Sequence, residues 1–532
     1  MTAPTTPALT TTALAALVSE YGSIGRLLER RADERGDAPF VRFDGRDFSF
    51  LEMDAISTAV ANALHARGLA LGDRIALMTG NSPQMLALWL GAAKLGVVTV
   101  FVNTALKGEG LAYVLRDAQP QILVIDEDLA PRLAVLDAAE MPPEVLVGQD
   151  HDLHEGSRLR TATADLGPDT PCSILYTSGT TGPPKGCLLP HGQYLAAAFL
   201  HADNCKFGPD TTVYCCMPLF HIAAQNYSML SALVAGGTFA LDERFSASRF
   251  WSRIADTGAT AFNFVGAMAV HLWNRPVDPV ERAHPPLVGF GAPVPVEIWG
   301  EWEQRFDTVL LQAFGMTENA LPVLVRRDEA PVAPGHRGTA GRETVAAQVQ
   351  VVDDDGHPTT PGTVGEIVTR PRIPWTTMTE YVGRPDAMRE AFRNSWFHTG
   401  DLGRLDADGH LYYVDRKKDA LRRRGEMVSS WELETLIGRY PGVADCAVVG
   451  IASDVTEDDI LVAVVCDGDP IDPAALITYC SERTARFQVP RYVRIVRELP
   501  RTQTQRIEKY RLRAEGVTPD TWDAMAPQTT GQ

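Results

Sequence analysis

SILYTSGTTGPPKGCLLPH, residues 173 to 191, runs from an apolar stretch into a loop of glycine, serine, threonine and lysine and out into a second apolar stretch. An apolar run that abuts a glycine-rich loop predicts a buried strand that delivers the loop to an open sheet edge. The loop suits a polyphosphate. Gly179 and Gly182 let backbone N–H groups approach anionic oxygens, the hydroxyls of Thr177, Ser178, Thr180 and Thr181 add donors, and Lys185 adds a mobile cation. The spacing is not that of a Walker A loop. A flexible Gly/Ser/Thr linker would share the composition, but it would not explain the strand beside it or the Pro-Pro-Lys-Gly ending.

Outward from this loop, residues 22 to 415 alternate helical stretches with short β-branched runs such as DRIALMTG, QILVIDE and TTVYCCMP. That alternation predicts an α/β fold, a large domain of layered sheets covered by helices. The segment MLALWLGAAKL reads as a buried helix capped by Gly96 and followed by the strand VVTVFVN. Two Asp-Gly turns, in VVDDDGHPTT and RLDADGHLYYV, predict hairpins in a β-rich subdomain near 340 to 415. After them come RKKDALRRR and a smaller α+β unit containing WELETLIGRY, ADCAVVGI and ILVAVVCD. The expected division is a disordered leader at 1–21, a large domain at 22–415, a small mobile domain at 416–515 and a flexible tail at 516–532.

With 45% hydrophobic and 22% charged residues the chain has an ordinary globular composition. A formal charge of −18 excludes a protein that coats nucleic acid or an anionic membrane. The eight cysteines form no CxxC pair and no metal-ligand spacing, which predicts reduced thiols in a cytoplasmic protein. The N-terminus lacks the charged and apolar regions of a signal peptide, and Lys94 and Gly96 interrupt the longest apolar run, so no membrane span is expected.

YTSGTTGPPKG resembles the signature phosphate loop of the adenylate-forming superfamily, which includes acyl-CoA synthetases, luciferases and peptide-synthetase adenylation domains. Further matches follow in the family's order: PLFH at 218–221, GAP at 291–293, FGMTE at 314–318, WFHTGD at 396–401, and DRKKD with GEMVSSWELE at 415–434. HIAAQNYSML and FNFVGAMAV are most similar to the branch containing crotonobetaine/carnitine-CoA ligase. The resemblance implies ATP, Mg²⁺ and coenzyme A as ligands and a small-molecule acid as substrate. It implies that Glu318 binds the metal, that Thr317 contacts the α-phosphate beside Gly315 and Met316, and that Phe314 stacks on adenine near Gly291, Ala292 and Pro293. Asp401 would hold the ribose, with Arg416 close by. His221 would gate an acyl pocket lined by Gln225, Asn226, Phe264, Val265, Gly266 and Phe290. Taken singly, Glu318 reads equally as a helix-cap partner, Asp401 as a turn residue, His221 as structural, and Phe264 and Phe290 as core.

In this family the small domain is a lid that swings about a hinge, at Lys418 here, and opens a tunnel for the thiol arm past Gly425. The basic residues between Arg416 and Arg424 either hold the phosphates of coenzyme A or are solvated. The lid's terminal loop, in LPRTQTQRIEK at 499–509, carries Arg506 where the family has a lysine, with Lys509 as a fallback cation. The expected activity is ATP-dependent adenylation of a small or medium acid followed by transfer to coenzyme A. Two alternatives remain at this point. One is adenylation with another acceptor, including nitrite activation for attack by an arylamine. The other is a silent nucleotide-binding homologue. The oligomeric state, a homodimer included, is open.

Overall fold

A computed structural model describes residues 9–137, 140–148, 152–160, 165–177, 184–417, 419, 421–423, 426–453, 458–501 and 507–526. Among the described residues two seven-stranded sheets, a five-stranded sheet and a three-stranded sheet form the large domain, the last two making its β-rich part at residues 313–416. One seven-stranded sheet runs in the order Thr308–Leu311, Leu287–Ala292, Ala261–Val265, Thr212–Cys215, Thr238–Leu241, Pro39–Phe43 and Arg46–Ser49, and the other places Val98–Phe101 and Pro171–Thr177 side by side at its centre. Neighbouring strands of these two sheets are parallel except at one end of each. Helices cover both faces, so central strands such as Ile122–Ile125 and Thr238–Leu241 are buried at every position and read as continuous apolar runs.

The MLALWLGAAKL expectation is met by the helix Pro83–Leu95, closed by Gly96 in the left-handed conformation and followed by Val98–Phe101. The second Asp-Gly turn closes a tight hairpin between Trp396–Leu405 and Leu411–Arg416, in which Asp406 Oδ1 accepts the N–H groups of Asp408 and His410. The first Asp-Gly turn uses Asp353 in the same way but sits in a longer connection between Ala347–Val352 and Gly365–Pro371. The small domain carries its own core, with Leu421, Val428, Leu433, Ile437, Val448 and Val462 among its members. Its sheet joins Val443–Ala452, Asp458–Cys466, Tyr492–Ile495 and Trp522–Asp523.

Two expectations about the ends need correction. The leader is not disordered throughout: Thr11–Tyr21 is a helix capped by Thr10, and Leu14, Val18 and Tyr21, spaced along one face, are buried in the main core. The tail is not wholly flexible either. Trp522–Asp523 pairs with Tyr492–Ile495, and Asp523 forms an ion pair with Arg491 at 3.1 Å. All eight cysteines are free thiols, and burial pushes those of Cys215 and Cys480 up to about 11, which keeps them protonated and inert. Among the described residues no helix is long and apolar enough to cross a membrane.

Candidate active site

Pro171–Thr177 and Lys185–Pro190 form an antiparallel hairpin in which Thr177 lies opposite Lys185. Because Pro171–Thr177 runs parallel to Val98–Phe101, its C-terminal end leaves the sheet on the edge where α/β folds bind ligands. Thr177 and Lys185 both line a cleft of ≈ 2380 Å³. Ser178, Gly179, Thr180, Thr181 and Gly182 lie outside the described residues.

The Lys185 ammonium sits 4.7 Å from the ring centroid of Tyr381, and the Tyr381 hydroxyl donates to Glu318 Oε1 at 2.9 Å. Burial, and then the Glu318 charge, push the Tyr381 hydroxyl well above the ordinary tyrosine range, so it remains a donor at working pH. Glu318 occupies the turn between Ala313–Met316 and Asn319–Leu324. Other segments pin this turn. Gln193 Nε2 donates to the Thr317 carbonyl at 2.7 Å, the Met378 N–H donates to the Glu318 carbonyl at 3.0 Å, and the Asn319 amide reaches the Thr369 hydroxyl. Gly315, Met316, Thr317 and Glu318 all face the cleft, whereas Phe314 is 7% exposed and packs with Val323, Val349 and Ile367 in a satellite core. The structure thus places Phe314 behind the wall and not on it.

A second group of strand ends supplies His221, Val265, Gly266, Ala292 and Pro293 to the cleft. Gly291 lies one residue inside, where a Cβ would stand 2.0 Å from the Phe264 carbonyl oxygen, so close strand packing accounts for this glycine. Four expected pocket residues are elsewhere. Phe264 packs on Trp302, and Phe290 packs against His201 and Tyr227, both inside the core. Gln225 is fully buried, accepting from the Tyr194 hydroxyl at 2.8 Å and donating to the Leu219 carbonyl at 2.7 Å. Asn226 is buried beside it. Both amides stand at the start of a π-helical turn, Gln225–Leu230, whose residues Gln225, Asn226, Ser228, Met229 and Leu230 are all buried.

Opposite these walls, Asp401 and Arg416 face each other across the Trp396–Leu405 and Leu411–Arg416 hairpin, with Arg416 Nε 2.8 Å from Asp401 Oδ1. Arg416 reaches the cleft, while the Asp401 carboxylate is held beneath it at 3% residue exposure. Lys417 is fastened to the large domain: its N–H donates to the Gly400 carbonyl at 2.9 Å and its ammonium lies 3.2 Å from both Glu366 and Asp354. Asp419 instead pairs with Arg513 of the small domain at 2.5 Å, while its own N–H still reaches the Arg416 carbonyl at 2.9 Å. Lys418, Gly425 and Arg506 lie outside the described residues. Arg501 and Ile507 pair in antiparallel fashion and both line the cleft. Lys509 is engaged within the small domain, 2.6 Å from Ser430 Oγ and 2.9 Å from Glu434, which itself lines the cleft. Across the domain junction Arg439 meets Glu297 at 2.5 Å.

Residues 28–382 match the family described as AMP-binding enzyme, and residues 432–506 match its C-terminal domain. The chain belongs to the AMP-binding enzyme family. Among the relatives of this AMP-binding enzyme, the crotonobetaine/carnitine-CoA ligase of Salmonella paratyphi A is 31% identical over 488 residues, covering 88% of this chain and 93% of that protein. ATP-bound MatB from Rhodopseudomonas palustris superposes with a TM-score of 0.82 at 27% identity, covering 92% of this chain and 98% of the other. Apo MatB, at the same identity and coverage, gives 0.72. This chain therefore superposes better on the ATP-bound MatB structure than on the apo one. O-succinylbenzoate coenzyme A synthetase (MenE) from Bacillus subtilis, in complex with ATP and magnesium, gives 0.80 at 25% identity, covering 91% and 98%.

The cleft fits a magnesium nucleotide on chemistry visible here. Mg²⁺ is typically held by one or two carboxylates together with substrate phosphates. Glu318 is a cleft carboxylate fixed on three sides, with the Lys185 cation sharing its tyrosine support. The cavity also exceeds the roughly 300–1,000 Å³ of a single drug-sized site, leaving room for a second reactant. Sequence reasoning missed Tyr381, Gln193 and Glu366, because an isolated Tyr, Gln or Glu between apolar residues carries no periodic or motif signal until the fold brings it to a turn.

Proposed function

We propose that this AMP-binding enzyme activates a carboxylic acid with ATP, releasing pyrophosphate, and passes the acyl group from the adenylate to coenzyme A. The observation that carries this reading is the pair Lys185 and Glu318, the cation over the ring of Tyr381 and the carboxylate at its hydroxyl, in a cleft large enough for nucleotide and acid together. A carboxylate is a poor acylating agent because oxide is a poor leaving group, and attack on the α-phosphorus installs a good one. Both reactants are anions, so the work falls on positioning and on cations that meet growing charge. Lys185 supplies a charge at the phosphates, and Arg416 supplies one at the nucleotide's far end. Glu318 would hold Mg²⁺, which when bound neutralises phosphate charge. Arg506 on the small domain would reach the carboxylate and α-phosphate.

A pyrophosphate-release screen of carboxylic acids and nitrite, each with and without coenzyme A, tests this. Release is expected to require an acid, and AMP release and thioester formation to require coenzyme A. Release driven by nitrite and an arylamine alone would replace the acyl reading. ATP binding with no release for any substrate would mark a silent homologue.

The tyrosine support has a measurable role of its own. A hydrogen bond to a charged group contributes about 1.5–3 kcal/mol. Tyr381→Phe is therefore expected to raise the Mg²⁺ concentration for half-maximal pyrophosphate release about 10-fold, with metal-free ATP binding by calorimetry unchanged. Tyr381→Leu also removes the ring beneath Lys185 and is expected to weaken both. An unchanged Mg²⁺ requirement in Tyr381→Phe would detach the hydroxyl from metal binding, and equal behaviour of the two variants would detach the ring from Lys185.

A further inference from the structure

Four neighbouring parallel strands, Thr238–Leu241, Thr212–Cys215, Ala261–Val265 and Leu287–Ala292, end on one side of the cleft. The chain leaving them supplies the cleft wall at residues 216–223, 245, 265–274 and 292–298. Among the described residues of these segments that face the cleft there is no Asp, Glu, Lys or Arg. The aromatic faces are Phe220, Phe245 and Trp273, and the polar groups are His221, His271 and Asn274. Among the described residues, every fixed charge of the cleft comes from the phosphate hairpin, the 313–324 turn, the β-rich subdomain or the small domain.

Resting on the acid-activation reading above, we infer that the acid this enzyme takes has an uncharged tail, aliphatic or aromatic, with at most neutral polar substituents such as hydroxyl or amino groups. An ion moved from water to a wall without a counter-ion loses hydration that nothing there returns. The exclusion works in both directions. A quaternary ammonium tail, such as crotonobetaine and carnitine carry, finds no carboxylate on this wall, and a second carboxylate finds no arginine or lysine. His221, His271 and Asn274 provide hydrogen-bonding capacity without a fixed charge. Trp273 already has the Arg305 guanidinium 5.5 Å from its ring centroid, so its free electron-rich surface for a cationic tail is reduced.

The test compares isosteric pairs by kcat/KM for acid-dependent pyrophosphate release. The first pair is 4-(trimethylammonio)but-2-enoate against 5,5-dimethylhex-2-enoate, identical in shape with nitrogen replaced by carbon. The second is hexanedioate against 6-oxoheptanoate, in which a methyl ketone replaces the second carboxylate. The neutral member is expected to win each pair by at least about 100-fold. If neither member turns over, their inhibition constants against an acid that does are compared, with the same ratio expected. Parity or preference for the charged member overturns the inference, including the case in which aromatic faces alone serve the cation. Val265, the last residue of its strand and 46% exposed, provides the converse. Val265→Asp is expected to narrow the ammonium ratio about 10-fold and widen the dicarboxylate ratio, whereas Val265→Asn changes neither. Unchanged ratios in Val265→Asp would show that this wall does not hold the acyl tail. The two readings fail separately: pyrophosphate release that needs no acid removes the activation reading, and release confined to charged acids removes only the uncharged tail.

Discussion

Arg506→Ala is expected to slow single-turnover pyrophosphate release about 10²-fold while ATP binding changes only a few-fold, the loss typical of one group that meets charge developing in the transition state. Arg501 and Ile507 pair with each other and both line the cleft, so the chain enters and leaves residues 502–506 at the cleft. The guanidinium of Arg506 keeps the charge that the family's lysine supplies and adds a two-pronged grip on carboxylate or phosphate, at the expense of bulk. Arg506→Lys is therefore expected to retain most of the rate. The nearest lysine is no substitute, since Lys509 is committed to Glu434 and Ser430. Burial raises the Glu434 carboxyl above its usual range while Lys509 opposes that, so Lys509→Ala leaves Glu434 poised to protonate and loosens the small domain with a weaker effect on the chemical step. A larger effect of Lys509→Ala than of Arg506→Ala would reverse the assignment.

Glu318→Ala is expected to lower pyrophosphate release about 10²- to 10³-fold and to abolish the difference between magnesium-replete and magnesium-free nucleotide binding. The turn around Glu318 is pinned through Gln193, Met378 and Asn319, so truncating the side chain removes the carboxylate without freeing the backbone that carries it. Glu318→Gln separates charge from orientation: the amide oxygen still accepts from Tyr381, yet the metal loses its anion. A Glu318→Gln enzyme that binds Mn²⁺ as tightly as the parent, measured by electron paramagnetic resonance, would remove Glu318 from the metal site.

Much of this architecture is legible in the sequence because its signals are local. Glycine at the end of MLALWLGAAKL, β-branched runs and Asp-Gly turns each name an element by its own chemistry, and the glycine-rich loop with Lys185 names the ligand class. The acyl wall is not legible in the same way. Strands buried on both faces present apolar residues to core and cleft alike, so Phe264 and Phe290 read no differently from Val265 although only Val265 is exposed. Gln225 and Asn226 mislead for a different reason: an amide in a helical run is expected at a polar surface, yet both are buried, Gln225 between the Tyr194 hydroxyl and the Leu219 carbonyl. The leader's helix was hidden by an alanine- and threonine-rich composition, and only packing against the large domain reveals the Leu14, Val18 and Tyr21 stripe.

The change of allegiance between the two domains takes place inside one turn, residues 416 to 419. Lys417 is moored to the large domain, Asp419 to Arg513 of the small domain, and the Asp419 N–H to Arg416 carbonyl bond closes the turn between them. Around that turn, among the described residues, the small domain is held by few contacts: Arg439 meets Glu297 at 2.5 Å, the Ser430 hydroxyl donates to Asp415 Oδ2 at 2.6 Å, and the Ser429 hydroxyl donates to the Val414 carbonyl at 2.9 Å. Each contact of this kind contributes about 0.5–1.5 kcal/mol net, and a difference of about 1.4 kcal/mol moves a population tenfold. A ligand in the cleft that touches both domains therefore competes on equal terms with the contacts that hold the small domain in place.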